Sequence, residues 1–87
     1  MDRKALTPVV VDVVRQRSPG FSGDWGLETS LGPDGAGIDS VGFLEIILEL
    51  EARTSISIRE ESLTAESLAT IGSLVDYLVA AGQHANG

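Results

Sequence analysis

Asp39-Ser40-Val41-Gly42-Phe43-Leu44-Glu45-Ile46-Ile47-Leu48-Glu49-Leu50-Glu51 is the stretch on which the reading of this 87-residue chain turns. Its apolar residues recur at helical spacing, but on two sides. At 100° per residue, Phe43, Ile46, Ile47 and Leu50 gather on one side, the expected core face. Val41, Leu44 and Leu48 gather on the other, with Glu45 and Ala52 among them and Glu49 and Glu51 flanking. A surface helix that needed only to fold would have no use for the second stripe. A bundle of this size can hardly surround a helix bearing three glutamates, so the second stripe is expected to meet another protein. Asp39 is a good N-cap, able to accept hydrogen bonds from the free N–H groups of the first turn. With Asp39 capping, the Ser40 hydroxyl can point to solvent. A phosphate joined to that oxygen would lie beside the positive end of the helix dipole.

Upstream lies a connection from Ser18 to Ile38 that holds six of the ten glycines and two of the three prolines. Unstructured loops this long are uncommon in compact domains. Phe21, Trp25, Leu27 and Leu31 are the anchors expected to pack it down, Trp25 as a loop plug. Before it, from about Ala5 to Arg17, Leu6, Val9 or Val10, Val13 and Val14 recur at helical spacing. Thr7-Pro8 reads as the N-cap of that helix, with proline at the first helical position, in preference to a start near Asp2 with proline inside the helix. Downstream of Arg53, Ser55-Ile56-Ser57-Ile58 alternates like a strand but has no convincing partner strand. It reads as an extended connection that inserts its isoleucines. Leu63 and Leu68 suggest a short helix, with Glu60-Glu61 in its first turn where carboxylates suit the dipole. The last helix takes Thr70 as N-cap and runs through Ile71, Leu74, Val75, Leu78 and Val79. Gly82 stands as its C-terminal cap, and residues 83–87 form a flexible tail. The predicted fold is all-α: an antiparallel four-helix bundle, three longer helices and one short, with a long first loop and a single domain over 1–87.

The 13 acidic residues against 6 basic ones give a net charge of −7. Such a surface repels nucleic acid and anionic membranes and favours basic protein partners. There is no cysteine, so neither a disulfide framework nor a thiolate metal site is available. Any thiol chemistry would need a prosthetic group to bring the sulfur. The start, Met1-Asp2-Arg3-Lys4-Ala5, lacks a signal-peptide apolar region, and no apolar run reaches the length of a membrane span, so the expected location is cytoplasmic. The five arginines to one lysine hint at a high-GC bacterial source.

Two chemistries fail on these residues. Aligning Gly37 on the invariant glycine of a calcium loop places Gly32, Ala36 and Phe43 at ligand positions, and none has a side-chain oxygen. A nucleophile elbow needs glycine two residues to either side of the serine, but Ile38 occupies the first position. The only histidine, His84, falls in the expected tail, a solvated residue that leaves Ser40 no general base.

With the helix that follows, Gly37-x-Asp39-Ser40-Val41 resembles the phosphopantetheine attachment site of acyl carrier proteins. Thr70-Ile71-x-x-Leu74-Val75-x-Tyr77-Leu78 resembles the last helix of that family, so the resemblance extends from about Leu31 to Leu78. It implies a carrier and not an enzyme. Ser40 would receive 4′-phosphopantetheine from coenzyme A, and acyl groups would ride as thioesters on its terminal thiol. Val41, Leu44, Glu45 and Leu48 match the family's outward docking positions, Glu51 matches a flanking acid, and Glu49 stands beside them. The implied partners are a phosphopantetheinyl transferase, an acyltransferase or adenylate-forming ligase, and ketosynthase-type enzymes with basic docking surfaces. The carrier itself would be a monomer.

Two departures from the family pattern stand out. The pair Leu31-Gly32 is set back from Asp39-Ser40 by Pro33-Asp34-Gly35-Ala36-Gly37-Ile38, and Gly42 stands where an acidic residue is common. The inserted loop and isolated single-domain length point to a discrete carrier of a polyketide or related natural-product pathway. A peptidyl (aminoacyl) carrier and the housekeeping fatty-acid carrier are the alternatives of the same class. An acidic helical adaptor without a prosthetic group is the alternative of another class.

Overall fold

The computed structural model describes residues 2–85. Among the described residues three α-helices make the fold: α1 (Arg3–Gln16), α2 (Ser40–Thr54) and α3 (Ile71–Ala85). The all-α expectation holds: among the described residues the only pairing of β type is one isolated antiparallel bridge, Ser30 to Thr70. Where the sequence predicts a fourth, short helix there is a single 3₁₀ turn, Glu60–Ser62.

Helix α1 packs against both α2 and α3, which make no close backbone approach to each other. One core joins them. Leu6, Val10, Val13 and Val14 come from α1, Ile46, Ile47 and Leu50 from α2, and Ile71, Leu74, Val75 and Leu78 from α3. Leu31, Ile38, Ile56 and Ile58 of the connecting segments are buried in the same cluster, so the Ser55–Ile58 stretch inserts its isoleucines as its alternation suggests. Phe43 is only half-buried, at the edge of this core.

Two helix ends differ from expectation. α1 begins at Arg3, not at Pro8, with the Asp2 carboxylate accepting the Ala5 N–H at 2.8 Å. Pro8 therefore lies inside the helix, where it removes one i→i−4 bond. The physical reason is Leu6: it is fully buried and in stripe with Val10, Val13 and Val14, so the turn that carries it must be helical. α3 continues past Gly82 to Ala85, so Gly82 is an interior residue and 83–85 are helix, not tail. The rest of the expected tail, residues 86 and 87, and the side chain of His84 lie outside the described residues. At its other end α3 starts as expected. Thr70 Oγ1 accepts the Ser73 N–H and Ser73 Oγ accepts the Thr70 N–H, each at 3.0 Å, a reciprocal cap.

The long connection is built, not loose. Leu31 donates its N–H to Ala69 (2.9 Å) and Ile71 donates to Thr29 (3.0 Å), which fastens the loop to the entry of α3. Leu31 is fully buried, whereas Leu27, expected to anchor, leaves 38% of its surface exposed and is held through its carbonyl, which accepts the Gly72 N–H at 2.8 Å. Trp25 is half-buried against the core and meets Phe21 edge-on, ring centres 5.0 Å apart, as a plug would.

Candidate functional site

The first turn of α2 forms the site. Asp39 has extended backbone, and its carboxylate accepts the Gly42 N–H at 2.7 Å. Its carbonyl accepts the Phe43 N–H at 2.9 Å, the first bond of the helix. Asp39 is thus the N-cap and Ser40 the first helical residue, so the cap is satisfied without the serine hydroxyl. Ser40 is exposed, and its hydroxyl has no hydrogen-bond partner among the described residues. The uncapped N–H groups and dipole of α2 give this position a favourable potential for a phosphate.

Down the outward side of α2, Val41 (65% exposed), Leu44 (49%) and Leu48 (66%) stand open to solvent, as the two-stripe pattern requires. The acids beside them separate into two kinds. Glu45 is exposed and has no ion pair among the described residues. Glu49 is half-buried, one carboxylate oxygen 2.9 Å from Arg53 Nε and the other 3.4 Å from Arg17. Arg53 also reaches Asp12 of α1 at 2.6 Å, so four charges tie α1 to α2. Hydrogen bonds from Arg53 to Asp12 and Glu49 hold its guanidinium above its usual range. Glu51 turns inward and accepts the Ile58 N–H at 2.9 Å, holding the segment that leaves α2. Of the three glutamates, two are engaged within the molecule.

The Asp39 cap, the helix start at Ser40 and the exposure of Val41, Leu44 and Leu48 are as the sequence predicts, because caps and periodicity are local. Sequence reasoning missed Asp12 and Arg17 as partners of the α2 charges, which are far along the chain. The Glu49–Arg53 spacing of four was the one legible sign of that network.

These observations define a class: a small helical protein that displays, at the capped start of one helix, an exposed serine hydroxyl without a hydrogen-bond partner among the described residues. Comparison with known families agrees. The family model described as "Phosphopantetheine attachment site" matches residues 25–78, more than half of the chain. The chain belongs to that family, the acyl carrier proteins, and its cofactor is covalently attached 4′-phosphopantetheine. Carrier domains of the family are typically non-catalytic and work with a phosphopantetheinyl transferase and with biosynthetic enzymes. No curated protein and no solved structure matches the chain. The residues present fit the group: a free, exposed hydroxyl sits at a capped helix start inside the matched range. No helix among the described residues is long and apolar enough to cross a membrane.

Proposed function

We propose that Ser40 is the attachment residue and that the chain, as a single cytoplasmic carrier domain, holds and delivers acyl groups in a polyketide or related natural-product pathway. One observation carries the assignment of Ser40: Asp39 satisfies the helix cap, leaving the serine hydroxyl exposed and without a partner. In loading, Ser40 Oγ forms a bond to the phosphorus of coenzyme A next to the pantetheine. The phosphoanhydride bond breaks, the adenosine bisphosphate leaves, and the hydroxyl proton passes to a base on the transferase. The arm supplies the thiol that this cysteine-free chain lacks, the point of thioester attachment.

Partner enzymes dock on Val41, Leu44, Glu45 and Leu48, with Glu49 and Glu51 shaping the surface from within. The exposure of the apolar stripe supports this docking face. The net charge of −7 supports basic partners, and the inserted loop supports a dedicated pathway over general fatty-acid synthesis.

Incubation with coenzyme A and a broad-specificity phosphopantetheinyl transferase tests the assignment by intact mass. The parent should gain one phosphopantetheine and Ser40→Ala none. A modified Ser40→Ala protein would move the site elsewhere, and an unmodified parent would defeat the carrier reading.

A further inference from the structure

The insertion before Ser40 closes on itself. Leu31 accepts the Ile38 N–H at 2.9 Å, Ser30 accepts the Ala36 N–H at 2.9 Å, and Gly32 accepts those of Gly35 and Gly37 at 3.0 and 2.8 Å. The Ser30 hydroxyl donates to Asp34 at 2.7 Å and accepts the Gly32 N–H at 3.1 Å. Ser30 is also paired with Thr70, and Leu31 with Ala69, so the closed turn is anchored on the entry of α3. Gly37 is left-handed (φ 70°), and Gly35 lies so near Ser30 that a Cβ would overlap the Ser30 carbonyl oxygen.

The turn ends on the cap. Ile38 is buried and immediately precedes Asp39. A Cβ at Gly42 would stand 3.1 Å from Ile38 Cγ2 and 3.2 Å from Asp39 Oδ1. Gly42 is therefore the seat on which the end of the insertion and the cap carboxylate both rest. The two departures from the family pattern, the insertion and Gly42, form one structural unit.

We propose that this closed turn positions Ser40 for transfer, with Gly35 as the positioning residue that keeps it closed. The inference rests on Ser40 being the attachment residue. Anchored at Leu31 and Ile38, the turn fixes Asp39, and Asp39 fixes the first turn of α2, so the hydroxyl is presented in one orientation to the attacked phosphorus. Opening the turn would let the cap shift while the core remains intact.

Gly35→Ala tests this against Gly20→Ala, a site in the same connection where a Cβ meets nothing within 4 Å. Both are compared with the parent by circular dichroism, amide hydrogen exchange and transferase kinetics with varied carrier. Gly35→Ala should stay helical and lose protection at the Ala36 and Ile38 amides. At saturating carrier its kcat should fall about tenfold or more, because slight misplacement of a reacting group is costly in rate. Its KM should change little, and Gly20→Ala should match the parent throughout. A partly unfolded carrier would instead raise apparent KM and leave kcat alone. Loss of amide protection with parental kcat, or a defect confined to KM, overturns the proposal. Should Gly35→Ala not fold, Ser30→Ala removes the hydroxyl that ties Asp34 and Gly32 and spares the backbone. It should lower kcat by a smaller factor, and parental kcat with the Gly32 amide unprotected overturns the proposal equally. An unmodified parent defeats the Ser40 assignment, whereas a modified parent with indistinguishable variants defeats the positioning role alone.

Discussion

Glu45 and Glu49 stand four residues apart on α2, close enough to pass in the sequence for one acidic patch. The fold gives them different surroundings: Glu49 is shared between Arg17 and Arg53, and Glu45 faces solvent. Glu49→Gln should lower stability by about 0.5–1 kcal/mol in denaturant melts, since it unties a half-buried network that joins two helices. Glu45→Gln should stay within about 0.5 kcal/mol of the parent, as exposed substitutions do. Binding kinetics should reverse their order of importance. Glu45→Lys should slow association with a basic partner enzyme and flatten its salt dependence, because exposed charges mainly set encounter rates. Equal stability losses from both glutamine variants would mean that Glu49 is as free as Glu45. Asp39 and Ser40 were legible at this scale because a cap is decided within four residues. The pairing of Arg53 with Asp12 was not, because those residues are 41 positions apart in the chain.

The helices were legible in their interiors and less so at their ends. Within α2 the two stripes follow from periodicity alone, and burial separates them: Ile47 is 4% exposed and Leu48 66%. Ile47→Ala should cost roughly 2–4 kcal/mol, as large-to-small core changes do. Leu48→Ala should cost under about 1 kcal/mol and speed dissociation from a partner instead. Chemical denaturation of the two variants checks the assignment, and the opposite order would exchange the core and docking faces. The start of α1 was misread because Thr7-Pro8 is a strong local signal. Buried Leu6 and the Asp2 cap outweigh it once the helix packs. Likewise Gly82 resembles a stop signal, yet α3 continues to Ala85, a reminder that one glycine costs a helix only about 1 kcal/mol. The segment after α2 shows a third pattern. Leu63 and Leu68 pack against the core as their spacing suggested, but only three residues there complete a 3₁₀ turn.

For the whole molecule, the long connection illustrates what a single sequence withholds. Its apolar anchors could be named, but its attachment to α3 depends on the Ser30–Thr70 bridge, whose members are forty residues apart. The charge balance, by contrast, is open to counting. Three acids (Asp12, Glu49, Asp76) and three bases (Arg3, Arg17, Arg53) are paired among the described residues. Of the thirteen acids and six bases in the chain, the remainder is strongly one-sided. Salt weakens both terms: it screens the four close contacts, which hold the helices together, and the many longer repulsions, which oppose compaction. Exposed pairs each contribute little, and the paired set here is small and partly exposed. Repulsion should therefore win, and sodium chloride raised from about 0.02 to about 0.5 M at neutral pH should increase the melting temperature. A relief of about 1 kcal/mol corresponds to roughly 4–8 °C for a domain of this size. The increase should be larger in Arg59→Ala, which removes a base that has no ion pair among the described residues and leaves the acids less opposed. A melting temperature that falls with salt would show that the Asp12–Arg53–Glu49–Arg17 network outweighs the acidic excess, and Glu49→Gln should then abolish the fall.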